Sequence, residues 1–342
     1  ATVSAAMEAI ELHCAEFSSI EPTAASHAEL AADAAIIDVD DLALTRYSLF
    51  HPDRTERWVE GWDLIDQQPM WVPLHAARMG GVRMDTGWDA VSFQSGSNGL
   101  ASGNVMLEAV LAALYEVVER DATTNWTLAE RYTLARVPHI DLSTIDDPLP
   151  LDLIDRLASA NVDLILRDCT IDTDLPTYQA TIFDQHGELG LYSGMGTHLD
   201  PGIAMVRAIT EAVQGRVVYV AGSRDDLFDH RRFMVNRDMG DHRHHTIDDA
   251  LGGPTISAAV RRPGTAPTFE EDLSTTIDRV RAVGVEHIIV VDLTADDIGV
   301  PAVRVIVPGL EGYPFPNYQA GRRGRAFIAK MRELAAEETR AS

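Results

Sequence analysis

Between Gly103 and Ala122 the chain reads GNVMLEAVLAALYEVVERDA, an apolar run interrupted by Asn104, Glu108, Glu116, Glu119 and Arg120. A helix turns about 100° per residue. Asn104, Glu108, Glu116 and Glu119 then share roughly 120° of arc with Ala112 and Tyr115, and Arg120 lies at its edge. Two other stretches carry a similar tetrad, Glu8-Ala9-Ile10-Glu11 and Glu211-Ala212-Val213-Gln214, beside Glu116-Val117-Val118-Glu119. The residues four positions before each tetrad are Ser4, Arg207 and Ala112.

An acidic stripe on a helix is ordinarily its wet face, because charged side chains seldom bury. Three features argue otherwise here. No Lys stands at i+4 to the glutamates, as an exposed helix usually arranges. Ala112 and Tyr115 occupy the stripe where long polar residues would suit water better. The pattern also recurs on two further helical stretches. Carboxylates gathered in a crevice must protonate or face cations. Oxygen ligands without interleaved Cys or His suit Mg2+, which usually arrives with phosphates. Arg120 and Arg207 are placed to clamp such phosphates. The residues alone point to a nucleoside triphosphate held through Mg2+.

The familiar nucleotide signatures are absent. There is no GxxxxGK[ST], and GMGTHLDPG (194–202) has Leu199 where a dinucleotide loop needs its third glycine. That segment reads as a turn into a helix starting at 201.

The elements that would carry these residues follow from periodicity. Helices are expected over 2–16, 104–131, 201–220, 271–284 and 321–338. Strands are expected over 70–75, 162–168, 177–184, 286–292 and 301–307. Segments 41–69 and 228–268 read as loops or insertions. The segments LRDCTIDTDLPTYQATIF (166–183) and VVDLTADDIGVPAVRVIV (290–307) resemble each other, each a strand, an Asp-x-Thr-x-Asp turn, a proline and a strand. The expected fold is α+β (mixed α/β), built from repeated α/β units whose helices converge. With no low-complexity linker, 1–342 reads as a single domain.

Composition bounds the function. Of 342 residues, 46% are hydrophobic, enough for a sizeable core, and the net charge of −25 argues against a nucleic-acid backbone as partner. No apolar run is long enough to span a membrane. Two cysteines, Cys14 and Cys169, read as free thiols in a reducing cytoplasm. Ala1 already lies inside a helical pattern, so further residues are expected upstream. Several remaining residues read as structural: Cys14 and Cys169 as interior, Asp168 and Asp292 as turn caps, and His242, His244 and His245 as a solvated loop. Trp58, Trp62 and Trp71 suit packing or partner docking equally, and His198 a structural or a substrate-side role.

Six blocks together resemble the YcaO family: VSAAMEAIEL, WVEGWDLIDQQPMWVPL, SNGLASGNVMLEAVLAALYEVVERDA, LRDCTIDTDLP, GTHLDPGIAMVRAITEAVQGRVVYVAGSRDDL and DLTADDIGVPAVRVIVPGLEGY. The resemblance implies a YcaO-like fold that binds ATP and Mg2+ and activates a backbone amide of a peptide. It implies nucleotide-binding roles for Ser4, Asn104, Glu108, Arg120, Arg207 and Gln214, and Mg2+-binding roles for Glu8, Glu11, Glu116, Glu119 and Glu211. Arg224 is a further family position.

The chemistry implied begins with addition of a nucleophile to the amide carbonyl carbon. The oxyanion takes the γ-phosphoryl group of ATP, and phosphate then leaves. Sulfide as nucleophile gives a thioamide; a neighbouring Cys, Ser or Thr gives an azoline. The MEAIELHCAE helix resembles the thioamide-forming branch that works with TfuA proteins. A peptide or protein substrate and a TfuA-like partner are thus implied, a homodimer is compatible, and an ATP-binding accessory role is a third possibility. Two departures stand out. The family's Gly- and Lys-containing turn before the first helix is not in this sequence, and Pro314 and Pro316 are only a fragment of the Pro-x-Pro-x-Pro tail of azoline-forming members.

Overall fold

A computed structural model describes residues 2–42, 44, 48–79, 92–184, 191–222, 247, 251–260, 264–312 and 318–341. In chain order its first elements are α1 (Thr2–Phe17), β1 (Thr23–Ser26), α2 (His27–Asp33), β2 (Thr55–Asp63), β3 (Gln68–Pro73), α3 (Leu74–Ala77) and β4 (Leu100–Ser102). Then come α4 (Met106–Tyr132), β5 (His139–Asp141), α5 (Pro148–Ser159), β6 (Val162–Asp168), β7 (Thr177–Asp184), β8 (Tyr192–Thr197) and α6 (Pro201–Ala221). The last are β9 (Thr255–Ser257), α7 (Phe269–Ala282), β10 (Ile289–Asp292), β11 (Ala302–Ile306) and α8 (Arg322–Ala341). The chain divides into two compact units. The first comprises 1–121 and 266–325, the second 122–265 and 326–342. The mixed helix-and-sheet class is as expected.

In the first unit the sheet runs β1-β2-β10-β11-β4, with β3 also paired to β2. All its pairings are antiparallel, with Ile289 opposite Ile306 and Arg304 opposite Leu100. Its core gathers Cys14, Ile37, Trp58, Val72, Leu74, Phe93, Ile289 and Val291. The expectation that 41–69 is a loop is overturned. Thr55–Asp63 forms β2, whose burial alternates around a fully buried Trp58 that donates its indole N–H to the Ala25 carbonyl. Charges at Glu56, Arg57 and Glu60 disguised that alternation. Of the other tryptophans, Trp71 packs against the core and Trp62 is exposed.

In the second unit the order is β8-β7-β6-β5-β9, with β5 and β9 parallel and the other pairs antiparallel. Helix α6 covers β7 and β8. It begins at a built N-terminus: Asp200 accepts the Gly202 and Ile203 N–H groups, and Pro201 supplies a pre-set φ. It stops at Gly222, whose φ of 61° lies in the left-handed region. The His198 Nδ1 atom accepts the Asp200 N–H at 2.9 Å, a structural part in the same turn. Among the described residues of this unit, α5, β5, β8 and β9 were not foreseen, and β9 lies inside the segment 228–268 expected to be a loop. Helix α5 starts PLPLDL, where Pro148 suits the first helical turn after the Asp147 cap. Strand β8, YSGMGT, has two glycines that lower its strand propensity.

The repeated segments are one structure built twice, once in each unit. Asp168 Oδ1 accepts the Thr170 N–H at 2.9 Å, and Asp292 Oδ1 accepts the Thr294 N–H at 2.9 Å. Thr170 Oγ1 accepts from Thr177 N, as Thr294 Oγ1 does from Ala302 N. Both aspartates cap their turns as expected. Cys14 and Cys169 are buried free thiols, also as expected. Among the described residues no helix is long and apolar enough to cross a membrane.

Candidate nucleotide and metal site

In the first unit the acidic stripe of α4 is not a solvated face. Asn104 is exposed and Glu108 half-buried, but Tyr115 is buried and Glu119 retains only 5% of its surface. Glu116 and Arg120 are about four-fifths covered, at 21% and 19% side-chain exposure. The Arg120 Nη2 atom lies 3.7 Å from Glu116 Oε1 and 3.8 Å from Glu119 Oε1. These distances exceed direct hydrogen bonds. At the amino end, Glu108 Oε2 accepts the Asn104 backbone N–H at 2.8 Å and its side-chain amide at 2.9 Å, which ties the first turn to the chain just before it.

Helix α1, packed on β4, supplies the second set. Glu11 Oε1 accepts the backbone N–H and hydroxyl of Ser102 at 2.8 and 2.7 Å. Burial pushes its carboxyl above the ordinary range; the Ser102 bonds oppose this, and the Glu8 charge adds to it. A carboxylate held up by burial and a like-charged neighbour gains most from a cation. Glu8 and Ser4 are exposed on the same helix. This donor set, oxygen only, fits a hard divalent ion.

In the second unit Glu211 of α6 repeats the Glu11 arrangement. Its Oε2 accepts the Met195 N–H of β8 at 2.6 Å. Arg207 is half-buried and Gln214 exposed. The approach of α6 depends on the two glycines that hid β8 from sequence reading. A Cβ on Gly194 would lie 2.4 Å from the Ala208 carbonyl oxygen, and one on Gly196 would lie 2.2 Å from that of Ala204 and 2.8 Å from Arg207 Cβ. Gly196→Ala is therefore expected to lift α6 from its strand and destabilise the protein by about 3 kcal/mol. Urea unfolding checks this; an unchanged midpoint would mean that the helix does not depend on that glycine.

Sequence reading missed several polar residues of the first unit. Arg304, in β11, is 2% exposed. It donates Nε to the Ala77 carbonyl at 3.3 Å, Nη1 to Asn98 at 2.6 Å and Nη2 to Gly96 at 2.7 Å. Burial pulls its pKa down to about 10 and the Glu116 charge opposes this, so it stays cationic at neutral pH. Asp121, Glu311 and Arg323 form a second buried group. Among the described residues, the His, Cys, Asp or Glu side chains that bring ligand atoms within 4.8 Å of one another in a trio are Asp63, Asp66 and His287. Among the described residues of the first unit, Glu8, Glu11, Glu116 and Glu119 form no such trio. Arg224, His242, His244, His245, Pro314 and Pro316 lie outside the described residues.

The chain belongs to the YcaO family. The family model described as YcaO cyclodehydratase, ATP- and Mg2+-binding, matches residues 1–311. An uncharacterised protein in the tfuA 3′ region of Rhizobium leguminosarum bv. trifolii is 34% identical over 328 residues, covering 91% of this chain and 74% of that protein. The structure of YcaO from Methanopyrus kandleri bound with AMPPCP and Mg2+ shares the fold with a TM-score of 0.68 at 24% identity, over 94% of this chain and 81% of that one. A heterocyclase in complex with substrate and cofactor has a TM-score of 0.76 at 23% identity over 93% of this chain, which spans only 44% of that protein.

Proposed function

We propose that this protein uses ATP and Mg2+ to phosphorylate a peptide backbone amide oxygen, in the service of thioamide formation with a TfuA-like partner. The observation that carries the ATP reading is the burial of Glu119 beside Glu116 and Arg120 on α4. Two carboxylates covered to this degree side by side favour a nearby cation, because burial and like charge both penalise the ionised pair. The proposed Mg2+ ligands are Glu8, Glu11, Glu116, Glu119 and Glu211. Ser4, Asn104, Glu108, Arg120, Arg207 and Gln214 are proposed to contact the nucleotide. The chain's contribution would be positional: its arginines would hold the phosphates and its carboxylates the Mg2+ that accompanies them. Bound Mg2+ would supply the neutralising charge.

The thioamide reading is supported by the relative from a tfuA region. The azoline reading draws on the family description as cyclodehydratases. Mass spectrometry of a candidate peptide incubated with the protein, ATP, Mg2+, a TfuA-like protein and sulfide separates the two. Exchange of one oxygen for one sulfur is the expected result. Loss of water instead would establish the azoline reaction and overturn the thioamide reading.

A further inference from the structure

We propose that Asp121, Glu311 and Arg323 are positioning residues that set the azimuth of α4 and so aim Glu119 and Arg120. The inference rests on the nucleotide reading of α4 given above.

Asp121 follows Arg120 directly and is wholly buried. Its Oδ1 accepts the Glu311 backbone N–H at 2.8 Å, and the Arg323 Nε atom donates to Oδ1 at 3.0 Å and Oδ2 at 2.8 Å. Glu311, 2% exposed, is satisfied in turn. Its Oε1 accepts the Gly324 N–H at 2.6 Å, and its Oε2 accepts the Gly321 N–H at 2.9 Å and the Tyr318 hydroxyl at 2.5 Å. A Cβ on Gly321 would sit 2.7 Å from Glu311 Oε1, so that backbone has to arrive bare.

The geometry bears on function because of where Asp121 points. Successive helical residues lie about 100° apart. Asp121 is thus held on a face of α4 different from the one that carries Glu119. A helix gripped on one face cannot roll, and its roll angle decides where Glu119 and Arg120 are directed. Sequence-distant groups on Glu311 and Arg323 provide that grip, and none of the three needs to touch a ligand. Buried ionic groups are a weak source of stability compared with apolar packing of the same volume. A fixed orientation is what this network adds.

The test uses the full chain, with Mg2+ and a non-hydrolysable β,γ-methylene ATP as probe, titrated by calorimetry alongside urea unfolding. Asp121→Asn and Glu311→Gln are each expected to weaken binding by the folded protein about 10-fold, as is usual when a partner that orients a ligand is lost. Combining Asp121→Asn with Glu119→Gln should give less than the product of the single losses, because both act on one set of contacts. A merely structural network would lower the urea midpoint and leave affinity within about twofold. That outcome, with Glu119→Gln still impaired, overturns the proposal alone. Unchanged affinity in Glu119→Gln overturns the nucleotide reading and the lock together. Should Asp121→Asn fail to fold, Arg323→Lys carries the same expectation: it keeps the charge and removes the Nε donor.

Discussion

Glu119→Gln is expected to weaken binding of Mg2+ with ATP about 100-fold, or about 2.7 kcal/mol, with the fold intact. The substitution is nearly isosteric and removes one charge from a side chain with 5% exposure. An ordinary wet-face glutamate would tolerate it within about 0.5 kcal/mol and show no effect on ligand affinity. A cation ligand would not, because an amide oxygen lacks the charge that offsets desolvation of a divalent ion. The fold should hold, since glutamine keeps the volume and an acceptor oxygen of the glutamate, and Arg120 keeps its ion pair with Glu116 at 3.7 Å. Calorimetry and urea unfolding on the same samples separate the two effects. Retained affinity would overturn the nucleotide reading of α4.

Arg304→Met is expected to destabilise the protein by about 3–5 kcal/mol, because hydrogen bonds from a charged donor are worth about 1.5–3 kcal/mol each. The methionine fills much of the volume but leaves the carbonyls of Ala77, Gly96 and Asn98 without the guanidinium donors they now have. Each unsatisfied buried acceptor costs about 1–3 kcal/mol. Arg304→Lys should fall between wild type and Met, because an ammonium keeps the charge but cannot reach three carbonyls in the plane of a guanidinium. The loss should also reach α1. Two of the carbonyls held by Arg304, those of Gly96 and Asn98, lie just before Gly99, which has φ +74° and admits the chain into β4, and β4 ends at the Ser102 that Glu11 engages. Urea midpoints of the two variants check the ranking. A loss under about 1 kcal/mol for Arg304→Met would show that the carbonyls find other donors.

The helices carrying the candidate residues were legible because their signals are local. Apolar residues at helical spacing place α1, α4 and α6 within a residue or two of their observed limits. The Asp-x-Thr turns were legible for the same reason, since an aspartate bonding the N–H two residues on needs nothing from afar. Strands β2 and β8 were not legible. In β2 charged residues interrupt the apolar pattern, and two of them, Glu56 and Asp63, are themselves buried; in β8 the glycines make sense only once α6 lies against them. Nothing in the short-range pattern marked Glu311 or Arg323, because their partner Asp121 is about two hundred residues away in the chain.

Residue type and period by themselves determined the mixed fold class, the three glutamate-bearing helices and the oxygen-rich chemistry those helices favour. They act over one or two turns, and one or two turns of sequence contain all the information they need. The tertiary structure decided which glutamates lose their water, which meet a backbone N–H and which arginine sits under a sheet. Desolvation is set by what packs on top, and that comes from elsewhere in the chain. Glu8 and Glu119 occupy similar tetrads, yet one is open to solvent and the other is nearly sealed.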